Sequence, residues 1–102
     1  MALVNCERVL REVLATLKKI EPPGGLTVLS YKRNRGIDLL QQEGGKIWVR
    51  ERGYREEEQT STLAELPRLL DAMLRREFPR SRKVRLYRLS GPQEVDQPRK
   101  TL

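Results

Sequence analysis

Histidine is absent from this chain of 102 residues, and cysteine occurs once, as Cys6. Histidine is the commonest general base, the commonest metal ligand and the usual partner of a nucleophilic serine or cysteine. A lone cysteine cannot form an internal disulfide, and without histidine it cannot complete a zinc site. We therefore expect no catalytic residues, no metal site and no cofactor, and we expect a binding protein rather than an enzyme.

Long apolar runs and phosphate-binding glycine motifs are missing as well. No stretch approaches the ~20 apolar residues that span a bilayer, and charges interrupt the N-terminal residues where a signal peptide needs an unbroken apolar segment. The pairs Gly24-Gly25 and Gly44-Gly45 stand in turn-like contexts and belong to no GxGxxG or GxxxxGK[ST] motif. We expect a cytoplasmic protein with no membrane partner.

Positive charge is what the chain has in excess. Lys and Arg number 21 against 14 Asp and Glu, which gives a formal net charge of +7. Between Arg75 and Arg88 there are seven cations and one acid, Glu77, so this segment alone carries seven minus one, or +6. Such a concentration favours a polyanionic partner, because each neutralised phosphate releases condensed counterions. The alternative is a solvated arginine-rich helix end that offsets the helix dipole.

Apolar residues at three- and four-residue spacing predict two helices. The first runs from about Cys6 to Ile20 with Asn5 as its N-cap. The second begins near Thr62, because Thr62 and Glu65 have the spacing of a capping box. The acidic run Glu56–Glu58, just before it, is expected to be a solvated charge run.

Four short runs predict strands, over residues 26–31, 37–42, 46–52 and 84–89. The glycine pair 44–45 predicts a hairpin between the second and third of them. The order α-β-β-β-α-β predicts an α+β fold: one four-stranded, mostly antiparallel sheet with two helices on one face. We expect a single domain over 1–89 and a flexible C-terminal tail over 90–102.

Strand alternation predicts that aromatic and basic residues share the sheet face turned away from the helices. If Ile47 and Val49 face the helices, their neighbours Trp48, Arg50 and Arg52 face outward. Proteins bind single-stranded nucleic acid with aromatic rings, on which the bases stack, and with interleaved cations that contact the phosphates. The candidate nucleic-acid-binding residues are Trp48, Arg50, Arg52, Arg75, Arg76, Arg80, Arg82, Lys83, Arg85, Tyr87 and Arg88. The sequence thus favours a small basic, non-enzymatic, nucleic-acid-associated protein.

A second hypothesis assigns the same sheet face to protein contacts. Leu29, Leu40, Trp48 and Tyr87 would then form an apolar patch that pairs with an identical subunit, since large exposed apolar patches usually mark partner surfaces. The positive charge would serve solubility or docking on an acidic protein. A third arrangement, with Trp48 in the core, would remove the aromatic part of either surface. Asp38 and Asp71 have no evident charged partner in the sequence.

Overall fold

A computed structural model describes residues 2–5, 8–30, 35–53, 56–78 and 83–91. It has the predicted α+β class, with one antiparallel sheet and two helices. The elements in chain order are β1 (Ala2–Asn5), α1 (Val9–Leu17), β2 (Gly25–Ser30), β3 (Gly36–Gln41), β4 (Lys46–Arg52), β5 (Glu56–Thr62), α2 (Leu66–Glu77) and β6 (Lys83–Leu89). The strands lie in the order β1-β6-β2-β3-β4-β5, and every neighbouring pair is antiparallel.

The described sheet has six strands, so the prediction of four is wrong. The two missed strands are its edges: β1 pairs with β6, and β5 pairs with β4. Asn5, predicted to cap the first helix, is the last residue of β1, and α1 begins later, after Arg8. The run Glu56–Glu58 is solvent-exposed, as expected, and it forms the first part of β5.

The predicted hairpin between β3 and β4 is confirmed. The two strands pair from Gly36 opposite Arg52 to Gln41 opposite Ile47. A short 3₁₀ turn, Glu43–Gly45, joins them, and its two glycines have positive φ angles of 79° and 74°. A positive φ angle favours glycine, because glycine has no Cβ that would clash with the backbone in the left-handed region.

The second helix begins at Leu66, four residues later than predicted. Thr62 and Glu65 do contact each other: the Glu65 amide donates to the Thr62 hydroxyl at 3.4 Å and to its carbonyl at 3.2 Å. This pair closes a turn between β5 and α2 instead of capping the helix. Pro67 consequently lies in the first turn of α2, where no intrahelical donor is required.

Both helices pack on the same face of the sheet, as predicted. The core contains Val13 and Leu17 of α1 together with Leu70 of α2, each fully buried. The strands contribute alternate residues to this core, namely Leu26, Val28, Ile37, Leu39, Ile47, Val49, Val84 and Leu86. We call the opposite side of the sheet the outer face. Neither described helix has the length and apolar character needed to cross a membrane.

Candidate nucleic-acid interface on the outer face

The outer face carries the side chains that alternation predicted for it. Ile47 and Val49 are buried in the core, so Trp48, Arg50 and Arg52 project to the other side of β4. On β6, Val84 and Leu86 are core residues. Lys83, Arg85 and Tyr87 therefore lie on the outer face as well, and Lys83 is exposed. Six of the eleven candidate residues thus share one surface.

Asp38 lies at the centre of this face and neutralises part of the charge of two of its cations through hydrogen-bonded ion pairs. Its side chain is 0% exposed, although it projects away from the core. Its carboxylate accepts hydrogen bonds from Thr27 Oγ1 at 2.8 Å, Arg50 Nε at 3.0 Å and Arg52 Nη2 at 3.0 Å. A buried carboxylate is stable only with such partners, so much of the charge of Arg50 and Arg52 is used within the protein.

Trp48 belongs to the outer face and not to the main core, which answers the question that the sequence left open. Its ring is partly buried against Leu40 and Leu89, which form a small apolar cluster on this face. The indole Nε1 donates to Glu58 Oε1 at 3.2 Å, and the Arg50 guanidinium lies 5.6 Å from the ring centroid. The polar edge of the indole is therefore occupied by Glu58, and Arg50 lies over the ring within cation–π range.

Register divides the outer face into two halves of different charge. On the β3–β5 side, Arg50 and Arg52 face Glu58 and Glu56 of β5 and also contact Asp38. On the β6 side, Arg85 faces Leu29 of β2, and Tyr87 faces Thr27. The register neighbours of Arg85 and Tyr87 on β2 are therefore neutral, whereas Arg50 and Arg52 of β4 lie opposite acids of β5.

Of the remaining candidate cations, the three that the structure describes do not join this surface. Arg75 and Arg76 lie on α2, across the sheet from the outer face, and Arg88 lies opposite the core residue Leu26 on the helix side. Arg75 pairs with Asp71 at 3.1 Å on the exposed side of α2, so Asp71 also has the partner that the sequence did not reveal. Arg80 and Arg82 fall outside the described residues.

Arg76 is tied to the sheet by a buried carboxylate. Its Nε and Nη2 atoms each donate to Glu51 at 2.8 Å, in the bidentate geometry that gives the strongest ion pairs. The Glu51 side chain is 1% exposed and that of Arg76 30% exposed. The hydrogen bond with Glu51 raises the pKa of Arg76 above its ordinary value. Arg76 thus joins α2 to β4 and is structural in this arrangement.

Asp38 is the site residue that sequence reasoning missed. Its arginine partners stand 12 and 14 positions further along the chain, so a search among near neighbours does not reach them. Among the described residues, no group of three or more acidic, cysteine or histidine side chains is arranged to hold a metal ion. No protein-family model, no curated protein and no solved structure matches this chain.

Proposed function

We propose that this protein is a small, non-enzymatic binding protein that holds nucleic acid through backbone phosphates along the outer face of β6. The observation that carries the proposal is the row of side chains on the outer face of β6, where the cations Lys83 and Arg85 precede the aromatic ring of Tyr87 at two-residue spacing. Lys83 is exposed and shares the outer face of β6 with Arg85, and the register neighbours of Arg85 and Tyr87 on β2 are neutral. Phosphates approaching the outer face of β6 meet two cations, and the exposed carboxylates of Glu56 and Glu58 lie on β5, four strand spacings away.

Tyr87 supplies the base-stacking element in this arrangement. It follows Arg85 at two-residue spacing, so both side chains project from the same side of β6. Trp48 lies on β4, three strands away from β6 in the sheet, which corresponds to roughly 14 Å at the usual strand spacing. One short strand can contact Tyr87 and the cations of β6 without reaching Trp48, whose indole also contacts Glu58.

The test is the binding of a fluorescent single-stranded oligonucleotide, followed by anisotropy over a range of salt concentrations. Affinity should fall with salt, with a logarithmic slope of about −0.7 for each phosphate contacted. The double variant Lys83→Glu/Arg85→Glu should bind more weakly and show a flatter slope. The matched control is Lys18→Glu/Lys19→Glu, at two exposed positions after α1, because it changes the net charge by the same amount as the β6 double variant.

Aromatic variants separate stacking from charge. Tyr87→Ala should weaken binding by about 1–3 kcal/mol if a base stacks on that ring, and Trp48→Ala should do the same only if a base also reaches β4. Circular dichroism must show that each variant is folded. Absence of wild-type binding at low salt, to single- or double-stranded oligonucleotides, would remove the proposal, as would equal losses in the β6 variant and the α1 control.

The homodimer alternative has less support from the geometry. Leu29 and Leu40, two members of the apolar patch that it requires, are 4% and 5% exposed within one chain. A residue already covered contributes little further burial to an interface. We therefore place nucleic acid first and leave self-association as the alternative that hydrodynamic measurements decide.

A further inference from the structure

The strand β5 forms an edge of the described sheet and is bordered by a groove on its helix side. Its partner in the sheet is β4. In an antiparallel edge strand, alternate backbone N–H and C=O groups point away from the sheet and can pair with another strand. Within the described part of the chain, the backbone bonds of Glu56–Thr62 outside the β4 ladder come from the turn at its end.

The groove lies between β5 and α2 and has a volume of about 530 Å³. Gln59 and Ser61 form its strand wall, and they lie on the helix side because their register partners Val49 and Ile47 are core residues. On the opposite wall, Ala64, Leu69 and Ala72 leave room between the helix and the strand, and the charged residues Glu65 and Arg68 also line the groove. An added strand would therefore have both an open backbone edge and a place for its inward side chains.

The charge of β5 restricts what such a strand can be. Glu56 and Glu58 are exposed on the outer face, and the arginines across from them are hydrogen-bonded to Asp38. A second copy of β5 would bring further carboxylates to this edge, and like charges in adjacent strands destabilise pairing. A strand with Lys or Arg at alternate positions would instead place its cations beside Glu56 and Glu58.

We infer that the β5 edge binds an extended basic peptide segment of another protein by strand addition. The peptide backbone pairs with β5, its cations lie beside the carboxylates of the outer face, and its small apolar side chains enter the groove against α2. This site is separate from the nucleic-acid surface of β6 and does not depend on it. The alternative is that the acidic residues of β5 only prevent pairing at this edge. In that case no such peptide would bind.

The probe is a fluorescent peptide of about eight alternating lysine and valine residues, a common strand length. A matched peptide carries N-methyl groups at every second residue, which removes donors along one edge and keeps the charge. We expect saturable binding of the first peptide, loss of binding for the second, and amide shifts within Glu56–Thr62 by NMR. Equal binding of both peptides would show simple charge attraction and would overturn the proposal.

Two groove variants sharpen the test. Ala72→Phe fills the groove and should raise the dissociation constant about tenfold or more. Ala15→Phe is the matched control, an exposed alanine on the other helix. Glu56→Lys/Glu58→Lys should also weaken binding of the basic peptide. Equal effects of the two phenylalanine variants, no binding at low salt, or a dimer paired through β5 in place of peptide binding would each contradict the proposal.

Discussion

Asp38 shows how one residue determines which cations of this protein are available to a partner. A carboxylate with no exposed surface must be compensated, and here Thr27, Arg50 and Arg52 all donate to it. The sequence presents Arg50 and Arg52 as two cations beside an aromatic ring, whereas the fold gives both of them an acid. A count of charges along the chain therefore overstates the positive charge that this part of the surface presents.

Arg75 and Arg76 of α2 also differ in how far the fold uses their charge, and this difference gives a stability prediction. Arg76→Met should lower the free energy of unfolding by about 3 kcal/mol, because the buried carboxylate of Glu51 would lose its bidentate guanidinium partner. Arg75→Met is the matched control and should change it by less than about 0.5 kcal/mol, since exposed i,i+4 pairs contribute little. Urea denaturation followed by circular dichroism measures both, and equal losses would contradict the structural role of Arg76.

The pKa of Arg76 sets the pH range over which this prediction applies. The hydrogen bond with Glu51 raises that pKa in the folded state. The contribution of Arg76 is therefore complete below its unfolded pKa and is lost only as pH rises through the higher folded value. Measurements near neutral pH consequently compare a fully charged Arg76 with the variant.

At the level of elements, the β3–β4 hairpin is the part that the sequence predicts best. Ile37 and Leu39 must share a face with Ile47 and Val49, and this requires an odd number of residues in the connection. The three-residue turn Glu43–Gly45 meets that requirement, and the same register brings Asp38 opposite Arg50. The hydrophobic pattern and the hairpin connection together therefore imply the Asp38–Arg50 ion pair of the outer face, although its two members are 12 positions apart in the chain.

The edge strands were not predictable in the same way. β5 reads Glu-Glu-Glu-Gln-Thr-Ser-Thr, and glutamate is depleted in strands, so local preference argues against it. Its position comes from backbone pairing with β4, which needs little side-chain burial; within β5, only Ser61 is buried. β1 is four residues long and lies directly before α1, so the helical pattern that follows hides it. Backbone pairing, not composition, produces both edges: β5 pairs with the preceding strand β4, and β1 pairs with β6, which is distant in the chain.

Helix α2 gives a prediction at the element scale. Leu70→Ala should reduce the free energy of unfolding by about 2–5 kcal/mol, because Leu70 is fully buried in the core. Leu63→Ala is the control, since Leu63 is 37% exposed before the helix begins, and it should cost less than about 0.5 kcal/mol. Thermal and urea unfolding of both variants would test this. A small loss for Leu70→Ala would mean that α2 does not pack on the sheet through this face.

The two proposed binding surfaces, on β6 and at the β5 edge, lie far apart in the molecule. β6 and β5 are separated by β2, β3 and β4, so four strand spacings, roughly 19 Å, lie between them. One surface presents cations on the outer face and the other presents carboxylates and open backbone groups at an edge. A nucleic-acid strand on β6 and a basic peptide on β5 therefore fit on one molecule together, and the acidic edge disfavours nucleic acid spreading across the whole sheet.

Burial across the whole molecule also predicts its state of association. Among the described residues, Leu63 is the one large hydrophobic side chain that is exposed, and a stable homodimer normally buries a substantial apolar patch. We expect a monomer in sedimentation velocity at moderate salt and micromolar concentration. A dimer that persists there, and that Trp48→Asp or Tyr87→Asp dissociates without unfolding the chain, would instead favour the sheet-face interface. These two members of the patch are only partly buried, so their substitution tests the interface with less disturbance of the fold than substitution of the buried Leu29 or Leu40.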